Sequence, residues 1–361
     1  FAARVAAAGG RALVVGGFVR DWLSGLAHSD VDLEVYGLAP ERLEAIAREV
    51  ARARTVGRDF GILKVGGLDV SLPRADRIPG REGYLRGDPA MSLEAAAQRR
   101  DFTINAMAWD PLSGAIYDPW NGIDDLRAGR LRMVDALTFV EDPLRALRAI
   151  QCLARFPLEL EPDTARVCRE LAPVLPGLAR ERIWEELKKL LLLGRRIGYA
   201  LEVARSLNIV AALWPELEAL YGCPQDPHWH PEGDVWIHTG MVLDVGARER
   251  TGESWEDLVV MLALLCHDLG KPGTTKRTLE GRIRSIAHEA HGGPLTEAFL
   301  LRHTEERRLI DAVRELVIHH LKPSMFYQQH ASDAAIQRLA TRCNLKRLVR
   351  VGRADKLGRT S

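Results

Sequence analysis

The stretch "ALVVGGFVRDWLSGLAHSDVDLEVYG", residues 12–37, decides what the first third of the chain can be. A β-branched run ends in Gly16 and Gly17, a helical pattern follows, and a second β-branched run opens on Asp30 and Asp32. Glycines between a strand and a helix let the backbone approach a phosphate. Two aspartates two residues apart on a strand point to one face. Their carboxylates repel unless a proton or a cation stands between them. A hard divalent cation with oxygen ligands resolves that repulsion, and magnesium commonly takes substrate phosphates as further ligands. A solvated turn with an arginine partner such as Arg20 is the plain structural alternative. A third acid, Asp69, lies in "GGLDVSLPR" and is either a further carboxylate of this set or an exposed strand residue.

Outward from that stretch, the first 120 residues alternate short strand-like runs with helical patterns. "FGILKVGGLDVSLPR" and "GAIYDPW" read as strands, and "APERLEAIAREVARA" as an amphipathic helix. After about residue 125 strand signals fade. "DPLRALRAIQCLARFPL", "ERIWEELKKLLLL" and "IGYALEVARSLNIVAAL" all carry helical periodicity, and "YGCPQDPHWHPEGD" at 221–234 interrupts them before a second helical block. The expected class is α+β: a mixed α/β head with a small sheet, then an all-α neck and body, then an all-α tail. The expected domains are 1–125, 126–220 and 221–361, with both chain ends trimmed and the tail short of its C-terminus.

The chain has 361 residues, with 50 basic and 49 acidic side chains. That balance argues against a uniformly basic nucleic-acid coat but not against a local basic groove. Five scattered cysteines in no ligand spacing read as reduced thiols in a cytoplasmic protein. No apolar run is long enough to span a membrane.

Two further motifs follow in the head and neck. "RRDFTINAMAWDP", residues 99–111, places Asp101 and Asn105 four apart behind Arg99 and Arg100, on one face of an expected helix. Arginine matches phosphate by bidentate donation, and Asp with Asn can hold ribose hydroxyls. The alternative is ordinary helix capping by Asp101. "EDPLRALRA" then offers Asp142 and Arg145 three apart, with Arg148 a turn further on.

The ordered set "GGFVRD…DVD", "RRDFTINA", "DPWNGIDDLRAGRLRMV", "EDPLRALRAIQCLARF" and "ERIWEELKKLL" resembles the class II tRNA nucleotidyltransferases, the CCA-adding enzymes, and their relatives the bacterial poly(A) polymerases. The resemblance covers roughly residues 12–200. It implies a polymerase-beta-type head in which Asp30 and Asp32 hold Mg2+, with Asp69 as the candidate third acid. It also implies that Gly16, Gly17 and Arg20 support the triphosphate, and that Arg100, Asp101 and Asn105 handle ribose and phosphate. Asp142 and Arg145 would read the base, with Arg148 near the phosphates. The base reading has a physical rationale. Cytosine and adenine both set an amino donor beside a ring-nitrogen acceptor, which suits a carboxylate beside a guanidinium. Guanine and uracil reverse that polarity and leave polar groups unpaired.

The tail holds its own pattern: His238 in "WIHTGMVLD", His267 and Asp268 in "LALLCHDLGKP", paired histidines in "IAHEAHGG" and "VIHHLKP", and Asp355 in "GRADKLGR". Imidazole with carboxylate suits a transition metal such as Mn, Ni, Co or Zn. His238, His267, Asp268 and Asp355 resemble the H…HD…D pattern of HD phosphohydrolase domains. "DPHWHPEGDVWIHT" is similar to the entry to that domain in long bacterial CCA-adding enzymes, where the resemblance implies phosphatase and 2′,3′-cyclic phosphodiesterase activity. The implied partners are tRNA, CTP and ATP, with no membrane, for a monomer or homodimer. The competing readings are a bacterial poly(A) polymerase, a partial enzyme adding only CC or only A, and an HD phosphohydrolase with a degenerate RNA-binding head. The CC-or-A choice would turn on a loop around "PGREGYLRGDPAMSLEAAAQ". The basic segments "LGRRIGYA" and "LARERIWEELKKL" are expected to touch tRNA phosphates.

Overall fold

The computed structural model describes residues 1–26, 31–50, 53–56, 62–77 and 85–360. The chain divides into two compact units: 1–142 with 158–164, and 143–157 with 165–361. The short return of 158–164 belongs to the first unit because its strand pairs back onto that unit.

The first unit is built on a seven-stranded mixed sheet. Its strands are β1 (Arg11–Val15), β2 (Val31–Tyr36), β3 (Ala53–Val56), β4 (Ile62–Val65) and β5 (Leu68–Ser71). A separate pair, β6 (Arg74–Arg77) and β7 (Leu85–Gly87), precedes the last two sheet strands, β8 (Ala108–Trp109) and β9 (Ile116–Tyr117). The sheet order is β3-β4-β5-β2-β1-β8-β9. Only β2 and β5 run parallel; the other neighbours are antiparallel.

Alternation fixes what each face carries. Ala12, Val14, Leu33, Val35, Leu63, Val65 and Val70 turn to one side and pack with Leu43, Ile46 and Ala47 of the helix Pro40–Val50. Asp32, Glu34, Lys64 and Asp69 are the alternate residues of the same strands and take the other side. A one-residue slip of β2 would bury its acids and expose its core, so the register is strongly specified.

The residues 99–111 do not form the expected helix. A helix ends at Gln98, a 3-10 turn covers Thr103–Asn105, and β8 begins at Ala108. Asp125 holds that turn in place: its carboxylate accepts from Thr103 Oγ1 at 2.7 Å and from Arg132 Nε at 2.8 Å. Such tertiary hydrogen bonds override a local helical pattern. Strands β10 (Arg130–Leu131) and β11 (Glu159–Leu160) close the unit as a short parallel pair.

The second unit is mainly helical. Leu144–Arg155 and Arg180–Leu193 are helices where the sequence predicts them, whereas 197–213 splits into Ile197–Ser206 and Ile209–Leu213 at Asn208, whose φ is 62°. The tail is built from Val235–Arg248, Ser254–Cys266, His288–Leu301, Arg307–His319 and Leu345–Leu357. Residues 257–266 are buried without interruption, so Ser254–Cys266 is the central helix of this bundle. One departure from an all-helical tail is a two-stranded arm, β12 (Thr275–Arg277) and β13 (Ile283–Ser285). The five cysteines are free and buried. No helix among the described residues is long and apolar enough to cross a membrane.

Candidate functional site

In the head, β1 ends beside the carboxylate face of the sheet. Val15 pairs with Asp32 across β1 and β2, and Asp32 pairs with Asp69 across β2 and β5. In-register neighbours share a face, so the tertiary fold brings Asp69 beside Asp32 although 37 residues separate them in the chain. Asp69 also accepts a salt bridge from Lys64 at 2.9 Å. Asp30 lies outside the described residues, as do 57–61 and 79–84, the first part of the segment 79–98 on which the CC-or-A choice is expected to turn.

Gly16 has φ 76°, a conformation that other residues avoid. A methyl group there would stand 3.2 Å from Arg100 Nη1 and 3.9 Å from Asp32 Oδ2. The turn, the guanidinium and the acid therefore meet at one point. Arg100 is held over the sheet by Glu34 at 2.8 Å, with both side chains largely buried. Gly17 opens the following helix, and a methyl group on it would lie 3.2 Å from Arg20 Nη2.

Arg20, Asp101 and Asn105 sit just beneath. Arg20 donates to Asp21 Oδ1 through Nε at 2.8 Å and to Asn105 Oδ1 through Nη1 at 2.6 Å. Asn105 Nδ2 donates to Asp101 Oδ1 at 2.9 Å, and that oxygen also accepts from the Phe102 amide at 2.8 Å. All four side chains are buried. The spacing of Asp101 and Asn105 reads as a helix face, but the two are joined around a 3-10 turn and tied to the glycine helix. Such a paired network is rigid and costly to break. Asp142, Arg145 and Arg148 follow in chain order. Arg145 and Arg148 occupy the less buried side of Leu144–Arg155, opposite its core residues. Of the basic residues expected to meet tRNA, Arg180, Lys188 and Lys189 form local ion pairs with Glu181, Glu185 and Glu186 respectively.

In the tail, the ends of five helices converge. His238 comes from the first turn of Val235–Arg248, where Asp234 caps the helix by accepting from the Ile237 amide at 2.9 Å. His267 and Asp268 end the central helix. Asp355 comes from Leu345–Leu357. His288 and His320, noted in the sequence as members of His pairs but not assigned to the metal set, join them; His291 is exposed and His319 contacts Glu315 instead. The signal that distinguishes the two partners of each pair is a backbone hydrogen bond that sequence does not display. Nδ1 of His267, His288 and His320 each faces the carbonyl three residues earlier, at 2.7, 2.8 and 2.7 Å.

A carbonyl only accepts, so Nδ1 carries the proton in all three rings and Nε2 presents a lone pair. Those lone pairs face other acceptors. His267 Nε2 is 3.2 Å from Asp268 Oδ2, and His288 Nε2 is 3.4 Å from Asp268 Oδ1 and 3.3 Å from His320 Nε2. His238 Nδ1 faces Glu232 Oε1 at 2.9 Å, so its Nε2 meets Asp355 Oδ1 at 3.1 Å. Acceptors crowded at this distance repel unless a cation or protons lie among them. Among the described residues three triads of ligand atoms form: His238–His267–Asp268 and Asp268–His288–His320, which share Asp268, and His230–Glu232–His238, which shares His238 with the first. The donor set thus fits a divalent transition metal.

Electrostatics agrees. Burial alone raises the Asp268 carboxyl, but His267, when its Nε2 takes up a proton in place of a metal, and Lys271 outweigh it and hold the group well below the usual range. Burial pushes His320 down to about 4, with His267 adding to the effect. Lys271 Nζ forms an ion pair with Asp268 Oδ2 at 2.7 Å and donates a hydrogen bond to Gln225 Oε1 at 2.6 Å, so one cation of the protein already faces the shared acid. Above these groups lies a cavity of about 230 Å³ bounded also by Trp229, Ser285 and Arg359.

A strand-borne acid set beside a glycine turn is the head of a nucleotidyltransferase, and the five-helix His/Asp cluster is the core of an HD domain. Family models agree: the poly A polymerase head domain matches residues 12–132, the probable RNA and SrmB-binding site of polymerase A matches 157–221, and the HD domain matches 235–360. The chain is 38% identical over 369 residues to the multifunctional CCA protein of Stenotrophomonas maltophilia (strain R551-3), covering 96% of this chain and 86% of that one. It is 36% identical over 368 residues to that of Xanthomonas campestris pv. campestris (strain B100), covering 96% and 85%. It therefore belongs to the multifunctional CCA protein family. Its fold matches the Bacillus stearothermophilus CCA-adding enzyme in complex with CTP at TM-score 0.70 and 24% identity, over 98% of this chain and 76% of that chain. The Thermotoga maritima CCA-adding enzyme complexed with tRNA matches at TM-score 0.61 and 20% identity, over 99% and 76%.

Proposed function

We propose that the chain adds C, C and A in turn to the 3′ end of tRNA, taking CTP and ATP and releasing pyrophosphate, without a nucleic-acid template. The head 1–125 carries the chemistry, 126–220 selects the nucleotide and binds tRNA, and 221–361 is the HD-type hydrolase. The observation that carries this reading is the meeting of Gly16, Arg100 and Asp32 at the edge of a sheet face that also bears Asp69.

Asp30 and Asp32 hold Mg2+, with Asp69 completing the acidic face. Bound there, divalent ions supply the Lewis acidity that favours attack by the 3′-hydroxyl and departure of pyrophosphate. The chain's own residues do the rest. Gly16 and Gly17 admit the triphosphate to the backbone, and Arg100 offers it a guanidinium whose direction Glu34 fixes. The Arg20–Asn105–Asp101 network braces the turn and the ribose side of the site. Asp142 accepts from the amino group of cytosine or adenine and Arg145 donates to the adjacent ring nitrogen, with Arg148 near the phosphates. Basic side chains of the body hold the acceptor arm by its phosphates, so affinity falls as salt rises.

In the tail, His238, His267, Asp268 and Asp355, joined by His288 and His320, hold a transition metal such as Ni, Mn, Co or Zn. Lys271 orients the shared acid and meets a substrate phosphate at the cavity. The tail removes phosphate or opens 2′,3′-cyclic phosphate from RNA ends that cannot otherwise be extended. We place the protein in the cytoplasm, as a monomer or homodimer.

The test is incubation of tRNA lacking its 3′ end with each labelled nucleotide separately and then together. Addition of C, C and A, stopping after three, is the expected result. A long A tract indicates poly(A) synthesis instead, and CC alone, or A only on a CC end, a partial enzyme.

A further inference from the structure

The arm β12–β13 is out of keeping with the bundle that carries it. Its register sets Lys276 directly opposite Arg284, and both are exposed. Like charges facing across two strands are destabilising, and an isolated two-stranded ribbon is marginal to begin with. Arg277 and Arg282 are exposed as well, and Glu280 is the one acid between Thr275 and Ser285. Among the described residues none of the four basic side chains has an ion-pair partner. Nothing among the described residues neutralises this concentration of positive charge.

The position of the arm says what. Ile283 and Ser285 of β13 form part of the wall of the tail cavity, facing Asp268 and His288. On its other side, Arg277 and Ile283 border a second hollow of about 310 Å³ that includes Tyr221. Ile283 lines both hollows. At the mouth of the first, Trp229 leaves 60% of its surface in solvent. Cationic side chains interleaved with exposed aromatic rings suit single-stranded nucleic acid, whose phosphates follow the charges and whose bases stack. An acidic protein surface or an anionic membrane could use both the charges and the tryptophan, but neither has a single-stranded phosphate end to enter the cavity beside Asp268 and His288.

We propose that the arm and Trp229 form a track for a single-stranded RNA 3′ end. Phosphates lie along Lys276, Arg277, Arg282 and Arg284, and the terminal base stacks on Trp229, which directs the last phosphate into the cavity. The chemistry at that phosphate rests on the hydrolase reading above; the binding does not.

The test uses the full chain and a short RNA ending in a photoreactive 4-thiouridine 3′-phosphate. Crosslinks are expected within 225–230 and 275–285. Lys276→Glu is the decisive variant, because it replaces a repulsive cross-strand pair with an attractive one. Thermal stability should hold or rise while crosslinking falls several-fold and the salt slope of RNA binding drops by about 1. Trp229→Ala should weaken crosslinking of the terminal nucleotide. Hydrolysis of the RNA 3′-phosphate should fall in the Lys276→Glu protein while a mononucleotide 3′-phosphate is processed as before. If the wild-type chain hydrolyses neither compound, the hydrolase reading fails, and the crosslink still decides the track. Crosslinks confined to other segments, or unaffected by Lys276→Glu, overturn the track. So does binding to phosphatidylserine vesicles that the same substitution abolishes in the absence of any RNA crosslink to the arm.

Discussion

Replacing Gly270 with alanine should disable the tail's metal site while leaving the head intact. Gly270 follows the His267–Asp268 pair and has φ −79°, so its backbone conformation suits alanine. What excludes a side chain is proximity. An added Cβ would lie 2.0 Å from the His288 carbonyl oxygen and 2.7 Å from the Gly292 amide nitrogen. Ordinary contact begins near 3.4 Å, so relief demands a shift of about 1.4 Å between the His267–Asp268 turn and the helix His288–Leu301. Both clashing groups are backbone and cannot swing aside. Metal–ligand distances tolerate only about 0.2 Å. The shift therefore removes His288 from its place 3.4 Å from Asp268 and 3.3 Å from His320. We expect at least about a 100-fold loss of divalent-metal affinity, which is about 2.7 kcal/mol. Calorimetric titration of the full chain with Ni2+ or Mn2+ reads this, with Asp268→Asn as the reference for a disabled tail and nucleotide addition as the readout for the head. Gly273→Ala is the matched control. There the nearest atom is His291 Nε2 at 2.8 Å, the end of an exposed side chain that can move, so affinity should be nearly unchanged. A folded Gly270→Ala protein with wild-type affinity would falsify the argument that close backbone approach sets the site.

Asp32→Ala should abolish nucleotide addition, measured by label incorporation into tRNA, and leave tail metal affinity unaltered; persistent addition refutes the head assignment. Glu232→Gln should cost about 10–100-fold in metal affinity, because Glu232 Oε1 lies 2.9 Å from His238 Nδ1 and fixes the direction of Nε2; an unchanged titration would remove Glu232 from that role. His303 is buried between Trp184 and Trp214 and accepts from Trp214 Nε1 at 3.1 Å. Burial, aided by Arg302, lowers its pKa from 6.5 to about 4. Its folded form binds the proton less readily, so stability is full above 6.5 and is lost as pH falls from there toward 4. The ceiling is about 3 kcal/mol. His303→Gln, which keeps an acceptor, should flatten that part of the pH–melting curve, and a curve of unchanged slope contradicts this.

Much of this protein was legible in order and type of residue. The strand-turn-helix at 11–23 and the amphipathic helices 144–155 and 180–193 follow from periodicity and glycine chemistry, which act over a few residues. The metal pattern was legible as a set of His and Asp types. What pattern could not specify was partnership over long separations. Asp69 stands beside Asp32 only because β5 pairs in parallel with β2, and parallel pairing is a property of topology. The expected helix at 99–111 gave way to a 3-10 turn because Asp125 and Arg132 bind it from a distance. His288 and His320 enter the site, and their neighbours His291 and His319 do not, because helix ends meet at angles that only packing sets. The arm β12–β13 reveals its opposed Lys276 and Arg284 only once its register exists. Local chemistry is written residue by residue, whereas the convergence of groups from five helices is decided by which faces the core buries, and that is a property of the whole fold.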